Sequence, residues 1–209
     1  MKLTGESKFF IAIAAVTILI VVIGAFAMSK PEKTLQKSDL ILADSHTQGN
    51  KNAKNYLVEF SDLQCPACRA AQPLLDEIMK TAPDSARLVY RHYPLPTIHQ
   101  NAAVSARAAE AAAKQGKFWE MHDTLFDKQS DWENEKDPQV LFVAYAKELK
   151  LDETQFVKDY QNTDTDAQVQ SDVADGNALG VNATPSFFVN NVKTDVSDLQ
   201  ATVETLLKQ

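Results

Sequence analysis

The sequence predicts an α/β domain carrying a helical insertion, preceded by an N-terminal transmembrane helix. Three observations predict it. Short apolar runs at residues 56–60, 88–90 and 186–189 read as buried strands. A long stretch with helical periodicity separates the second run from the third. A run of 20 residues without a charge, 9–28, precedes them all.

The apolar run is long enough to span a bilayer. At 1.5 Å per residue, a helix of this length covers roughly 30 Å, the thickness of the hydrocarbon core. It has no polar face, which argues against a buried soluble helix. Lys2 and Lys8 precede it and place residues 1–8 on the cytoplasmic side. Two readings compete. Residues 9–28 form a retained signal anchor, or they form a signal peptide cleaved after Ala25-Phe26-Ala27. The run exceeds the usual signal-peptide apolar length of about 7–15 residues, which favours the anchor. Either way the rest of the chain lies outside the cytoplasm, where disulfides persist. Residues 29–53 are mostly polar and read as an extracytoplasmic tether, interrupted by Leu40-Ile41-Leu42-Ala43.

The folded part begins near residue 54. The strand at 56–60 leads through Ser61-Asp62-Leu63-Gln64 to Cys65-Pro66-Ala67-Cys68. Ala70, Ala71, Leu74, Leu75, Ile78 and Met79 then recur at helical spacing. Pro73 falls inside that stripe and predicts a kink. After the strand at 88–90, helices are expected at 102–113, 118–126, 138–149, 153–160 and 166–179. Pro185 precedes the strand at 186–189. Asn190-Asn191 then turns toward a short strand at 192–193, and an amphipathic helix at 196–207 follows. Phe118, Trp119, Leu125 and Phe126 are expected in the core of the helical block. The domain boundaries are therefore 54–96, 97–180 and 181–209.

Composition excludes several functions. Lys plus Arg number 21 and Asp plus Glu 28 among 209 residues, for a net charge of −7. The first 33 residues hold four Lys and two Glu, so the remaining 176 carry 17 positive and 26 negative charges, net −9. Such a surface repels phosphate backbones, so nucleic acid is not expected as a partner. Six glycines form no phosphate-binding loop. Two cysteines cannot staple a scaffold. The acidic clusters at 131–137 and 159–172 lack calcium-loop spacing and read as solvated surface.

Cys65 and Cys68 carry the chemistry. They open a helix directly after a strand. Unsatisfied N–H groups and the helix dipole favour a thiolate at Cys65. Pro66 suits the first helical position. Cys68 lies one turn on, close enough to resolve a mixed disulfide. A purely structural disulfide here closes a four-residue loop, which contributes only roughly 2 kcal/mol. A closed zinc site needs four ligands, and no second C-x-x-C is present. His92, His99 and His122 are available but have no spacing that demands a metal. For His92 and His99, surface or capping roles are expected. The bond Thr184–Pro185 admits a cis form, though trans is the commoner outcome.

These motifs together resemble the thioredoxin fold. They are Cys65-Pro66-Ala67-Cys68-Arg69, Pro73 followed by Leu74-Leu75-Asp76-Glu77-Ile78, and Ala183-Thr184-Pro185-Ser186-Phe187-Phe188-Val189. The long gap from Cys68 to Pro185 is similar to the DsbA-like branch, in which a helical domain is inserted into that fold. Glu59-Phe60-Ser61-Asp62, Arg91-His92-Tyr93-Pro94-Leu95 and Phe118-Trp119-Glu120-Met121-His122 also resemble that branch. The resemblance covers about residues 46–208.

It implies a membrane-anchored thiol-disulfide oxidoreductase that oxidises substrate cysteines and needs no cofactor beyond its cysteines. Cys65 matches the exposed nucleophile and Cys68 the buried resolving cysteine. Pro66 and Ala67 lie between them, Pro185 matches the cis-proline facing them, and the Thr184 backbone matches a substrate-peptide contact. Glu59 matches a buried acid that relays a proton to or from Cys68, against the alternative of a solvent-facing strand residue. Pro-Ala replaces the Pro-His of DsbA, which removes one donor to the thiolate and implies a milder oxidant.

The implied partners are exported proteins with free thiols, the membrane through residues 9–28, and a quinone-linked DsbB-like or VKOR-like oxidase. A reductase or isomerase of the same fold is the alternative, but residues 29–53 leave no room for the dimerisation domain that isomerases carry, and a monomer is expected. A peptide-binding or metal-binding module without turnover is the alternative of a different class.

Overall fold

In the computed structural model, residues 11, 13–20 and 35–207 are described. The chain divides into two units, 1–34 and 35–209. In the first, residues 13–20 are helical. Most of the expected span 9–28, with Ala25-Phe26-Ala27, lies outside the described residues. Among those described, no helix is long and apolar enough to cross a membrane.

The second unit is built on a five-stranded sheet. In chain order its strands are β1 (His46–Gly49), β2 (Asn55–Ser61), β3 (Ala86–His92), β4 (Ser186–Val189) and β5 (Val192–Thr194). Their spatial order is β1-β3-β2-β4-β5. Only β2 and β3 run parallel, with Glu59 beside Tyr90 and Ser61 beside His92; the other neighbours are antiparallel. The parallel pair is connected through helix α2 (Pro66–Thr81). A short helix α1 (Lys37–Leu40) precedes the sheet. Six helices stand between β3 and β4: α3 (Ala102–Ala113), α4 (Phe118–Asp127), α5 (Gln129–Trp132), α6 (Gln139–Glu148), α7 (Glu153–Tyr160) and α8 (Thr163–Ala178). A 3-10 turn, Val196–Asp198, leads into α9 (Leu199–Leu207).

Three apolar clusters hold these layers together. Leu57, Leu75, Ile78, Phe187 and Leu199 fill the sheet face under α2 and α9. Val58, Phe60, Val89 and Phe188 fill the opposite face with Leu40 and Val181. Trp132, Phe142, Phe156 and Met121 centre the helical block. Strand alternation explains the division in β2, since Leu57 and Val58 must point to opposite faces. By the same alternation Glu59 and Ser61 share the face of Leu57, which α2 covers. Neither carboxylate nor hydroxyl reaches solvent, so the solvent-facing alternative for Glu59 is corrected.

Several expectations change. The tether of 29–53 is partly structured. Leu40 is buried in the sheet core, and β1 pairs with β3 from His46 to Gly49. An edge strand pairs on one side only, so its polar sequence carries little alternation. Gly49 ends it at φ 82°, where an added Cβ would strike the Ala86 carbonyl at 2.7 Å. As expected, Pro73 lies inside α2, which runs from Pro66 to Thr81. The acidic stretch 159–172 is not all surface. Asp172 is buried and accepts from the guanidinium Nε of fully buried Arg91 at 2.5 Å and from the His92 amide at 2.9 Å. His92 is buried as well, because β3 carries it beneath the helical block.

Candidate active site

Cys65 caps helix α2 with extended backbone angles, and Pro66 takes the first helical position. The missing proline N–H would have had no partner there in any case. Pro66 and Ala67 are exposed, Cys65 is 6% exposed and Cys68 is fully buried. Both cysteines are free thiols.

The two sulfurs titrate in opposite directions. The Cys68 thiol donates toward Cys65 and pulls its pKa down to about 5. Burial opposes this, while the Thr184 side chain and the backbone N–H groups of Cys68 and Ala67 add to it. Burial pushes the Cys68 thiol far up, and its bond to Cys65 and the nearby Glu59 carboxylate push it further. One thiolate therefore forms readily at Cys65, the less deeply buried of the two, and the inner thiol keeps its proton.

Opposite the cysteines lies the segment before β4. The Thr184–Pro185 bond is cis. The Cys65 thiol donates to the Thr184 carbonyl oxygen at 3.5 Å. The Thr184 hydroxyl is buried without a hydrogen-bond partner. Toward the Cys65 thiolate it acts as a donor and lowers the pKa.

Glu59 sits behind the pair. Desolvation raises its pKa to about 7, against hydrogen bonds from Ser61 and Gln72 that lower it. Ser61 Oγ donates to Glu59 Oε1 at 2.8 Å. Gln72 Nε2 lies 3.4 Å from Glu59 Oε1 and 3.1 Å from the Cys68 carbonyl oxygen. Sequence reasoning missed Gln72. Its signal is its position four residues after Cys68, on the same helix face.

The loop before Cys65 is laced in place by groups that local sequence does not reveal. The Asp62 carboxylate accepts from the Gln64 amide at 2.8 Å, the Leu95 amide at 3.0 Å and His99 Nδ1 at 2.7 Å. Its backbone carbonyl accepts from the Cys65 amide at 2.9 Å. Gln129 of α5 donates to the carbonyls of Leu63 at 2.8 Å and Cys65 at 3.3 Å. The inserted helices thus fix the backbone that presents the nucleophile. His99 has a loop-pinning role, and His92 belongs to a separate cluster with His46 and Glu110.

The family model described as thioredoxin matches residues 42–209. The chain belongs to the thioredoxin family. Within it, the solved structures most similar to this thioredoxin-family chain include a thioredoxin-like oxidoreductase from Silicibacter pomeroyi. That protein is 28% identical with a TM-score of 0.69, covering 84% of this chain and 99% of that one. BdbD from Bacillus subtilis is 24% identical with a TM-score of 0.70, covering 79% of this chain and 94% of that one. The DsbA-like form of the thioredoxin fold, with its helices between β3 and β4, is therefore shown. Among curated proteins, a Na(+)/H(+) antiporter NhaA 1 of Mycolicibacterium vanbaalenii is 39% identical over 150 residues. The match covers 71% of this chain but 24% of the relative, so the chain spans about a quarter of that relative's length.

Proposed function

We propose that this chain is an extracytoplasmic thiol-disulfide oxidoreductase that oxidises substrate cysteines through Cys65 and Cys68. The observation that carries the reading is the arrangement of Cys65 and Cys68 at the start of α2, facing the cis Thr184–Pro185 bond with buried Glu59 behind them. A thiol with a pKa near 5 is a good leaving group, so a disulfide made from it is readily given away.

The cycle begins from the Cys65–Cys68 disulfide. A substrate thiolate attacks the Cys65 sulfur, the bond to Cys68 breaks, and Cys68 leaves with the electron pair. Glu59, whose raised pKa of about 7 leaves a protonated fraction near neutral pH, supplies a proton to Cys68. A second substrate thiolate attacks the substrate sulfur of the mixed disulfide and expels Cys65 as a thiolate. Oxidised substrate departs, and the enzyme holds two additional electrons and one relayed proton. Thr184 and the cis-proline Pro185 border the sulfur under attack and orient an extended peptide by strand addition.

Reoxidation falls to a quinone-linked membrane oxidase of the DsbB-like or VKOR-like type. Residues 9–28 anchor the chain with residues 1–8 in the cytoplasm, and residues 54–96 and 181–209, joined by edge strand β1 (His46–Gly49), form the redox domain around the helical insertion 97–180. The substrates are exported proteins with free thiols.

A Cys68→Ser variant tests this reading. Lacking the resolving thiol, it accumulates mixed disulfides with reduced substrate proteins through Cys65, and reductant releases them. A folded Cys68→Ser variant that reacts with small alkylating agents yet traps no substrate overturns the reading and favours a binding module without turnover.

A further inference from the structure

Among the described residues, one cluster of potential metal ligands occupies the β1 side of the sheet. His46 opens β1, His92 ends β3 and Glu110 projects from α3. His46 Nε2 lies 2.6 Å and His92 Nε2 2.9 Å from the same oxygen, Glu110 Oε1. One ligand atom from each residue lies within 4.8 Å of the others. His92 and Glu110 are buried, whereas the His46 side chain keeps 16% of its surface open.

The rings are held in this aim by packing. His46 stacks on Phe118 with centroids 3.5 Å apart and planes 6° from parallel. Tyr90 meets the His92 ring edge-on at 5.0 Å. Two imidazoles presenting Nε2 to one carboxylate oxygen, each fixed by aromatic neighbours, form a preorganised two-nitrogen, one-oxygen face.

We propose that His46, His92 and Glu110 form a binding site for a divalent cation of the zinc type. Imidazole and carboxylate donors suit zinc, whereas calcium and magnesium prefer an all-oxygen shell. Zinc takes imidazole nitrogen at about 2.0–2.1 Å and carboxylate oxygen at about 2.0–2.2 Å. Tetrahedral neighbours are then farther apart than the present hydrogen bonds, so Glu110 must withdraw slightly by side-chain rotation. Each Nε2 surrenders its proton, to Nδ1 or to solvent, and presents a lone pair. Three protein ligands leave a fourth position, and the exposed edge of His46 gives a water access to it. The ion would clamp edge strand β1 to β3 and α3. This site stands independently of the proposed redox function, since it uses neither cysteine.

Free thiols bind added zinc as well, so the test removes both cysteines. Full-length Cys65→Ser/Cys68→Ser protein in mild detergent is loaded with Zn²⁺, passed through gel filtration and assayed for metal. Co²⁺ substitution then reports the ligand type. The expected result is one retained equivalent and a cobalt spectrum of nitrogen and oxygen ligands. His46→Gln and Glu110→Gln, checked for folding by circular dichroism, should each weaken binding at least about tenfold. His46 sits on an edge strand, so its variant remains informative if the buried Glu110 change unfolds the chain. Three outcomes overturn the proposal: no retained zinc, zinc retained unchanged by folded His46→Gln, or calcium binding at equal strength.

Discussion

The Cys65 sulfur lies 3.5 Å from the carbonyl oxygen of Thr184, across 119 residues of sequence. This contact joins the start of α2 to the segment that feeds β4. It also places the unpartnered Thr184 hydroxyl within the same small region as the thiol. The hydroxyl lowers the Cys65 pKa as a donor to the thiolate.

Replacing that hydroxyl should weaken the thiolate. Thr184→Val removes one donor to a charged group, so the pH midpoint of Cys65 alkylation should rise from about 5 by roughly one pH unit. The rate of alkylation against pH checks this. An unchanged midpoint would assign the whole effect to Cys68 and the helix N-terminus.

The depressed Cys65 pKa also has a stability signature. Its folded value, about 5, lies below the unfolded thiol value near 8.5. The stabilisation of the reduced form is thus complete above about pH 8.5 and is lost as pH falls through about 5. Reduced minus oxidised stability, from denaturant unfolding at several pH values, should rise across that window. A flat difference would contradict the thiolate.

Glu59 runs the other way. Its folded pKa, about 7, lies above the ordinary carboxyl value of 4.5. Its ionisation costs nothing below pH 4.5, and stability is lost as pH rises through about 7. Glu59→Gln should therefore stabilise the protein at pH 8, by on the order of 3 kcal/mol, and by little at pH 4. The same variant should slow protonation of departing Cys68 and remove the pH dependence of that step near 7. Thermal melts at the two pH values and stopped-flow thiol exchange read both effects.

Gly176 in α8 is fixed by close approach. A Cβ there would stand 2.8 Å from Cδ2 of Tyr93 and 3.2 Å from Cδ1 of Phe60. Alanine gains about 1 kcal/mol of helix propensity, but overpacking costs about 1–3 kcal/mol. Gly176→Ala should be destabilising on balance, as measured by urea unfolding.

Arg91 and Asp172 form a buried pair behind β3. Asp172→Ala leaves the guanidinium with Asp175, whose side chain is partly open to solvent. Loss of one partner from a buried pair costs about 3–5 kcal/mol, so this variant should lose much of its stability without any change at the cysteines. A small loss in calorimetry would mean that Asp175 alone satisfies the charge.

Much of the architecture was legible because it rests on local signals. The continuous apolar runs of β2 and β4 bury both faces and stand out from their flanks. The cysteine pair and its proline mark the start of α2 directly. β1 was not legible, since its three polar residues and Gly49 carry no apolar alternation and depend on β3 for their hydrogen bonds. Gln72 had a positional signal four residues after Cys68. Gln129 had none, because its role depends on a carbonyl 64 residues away. His92 resembled a surface residue until β3 and α3 enclosed it. The cis form of Thr184–Pro185 was readable only through the family resemblance.

The most direct test of the account is the reduction potential of the Cys65–Cys68 pair, measured by equilibration of the full chain with glutathione buffers. A thiolate-stabilised pair that donates its disulfide should lie toward about −120 mV, at the oxidising end of the range for such dithiols. A value near about −270 mV would place the pair with reductants and contradict the proposed direction of electron flow.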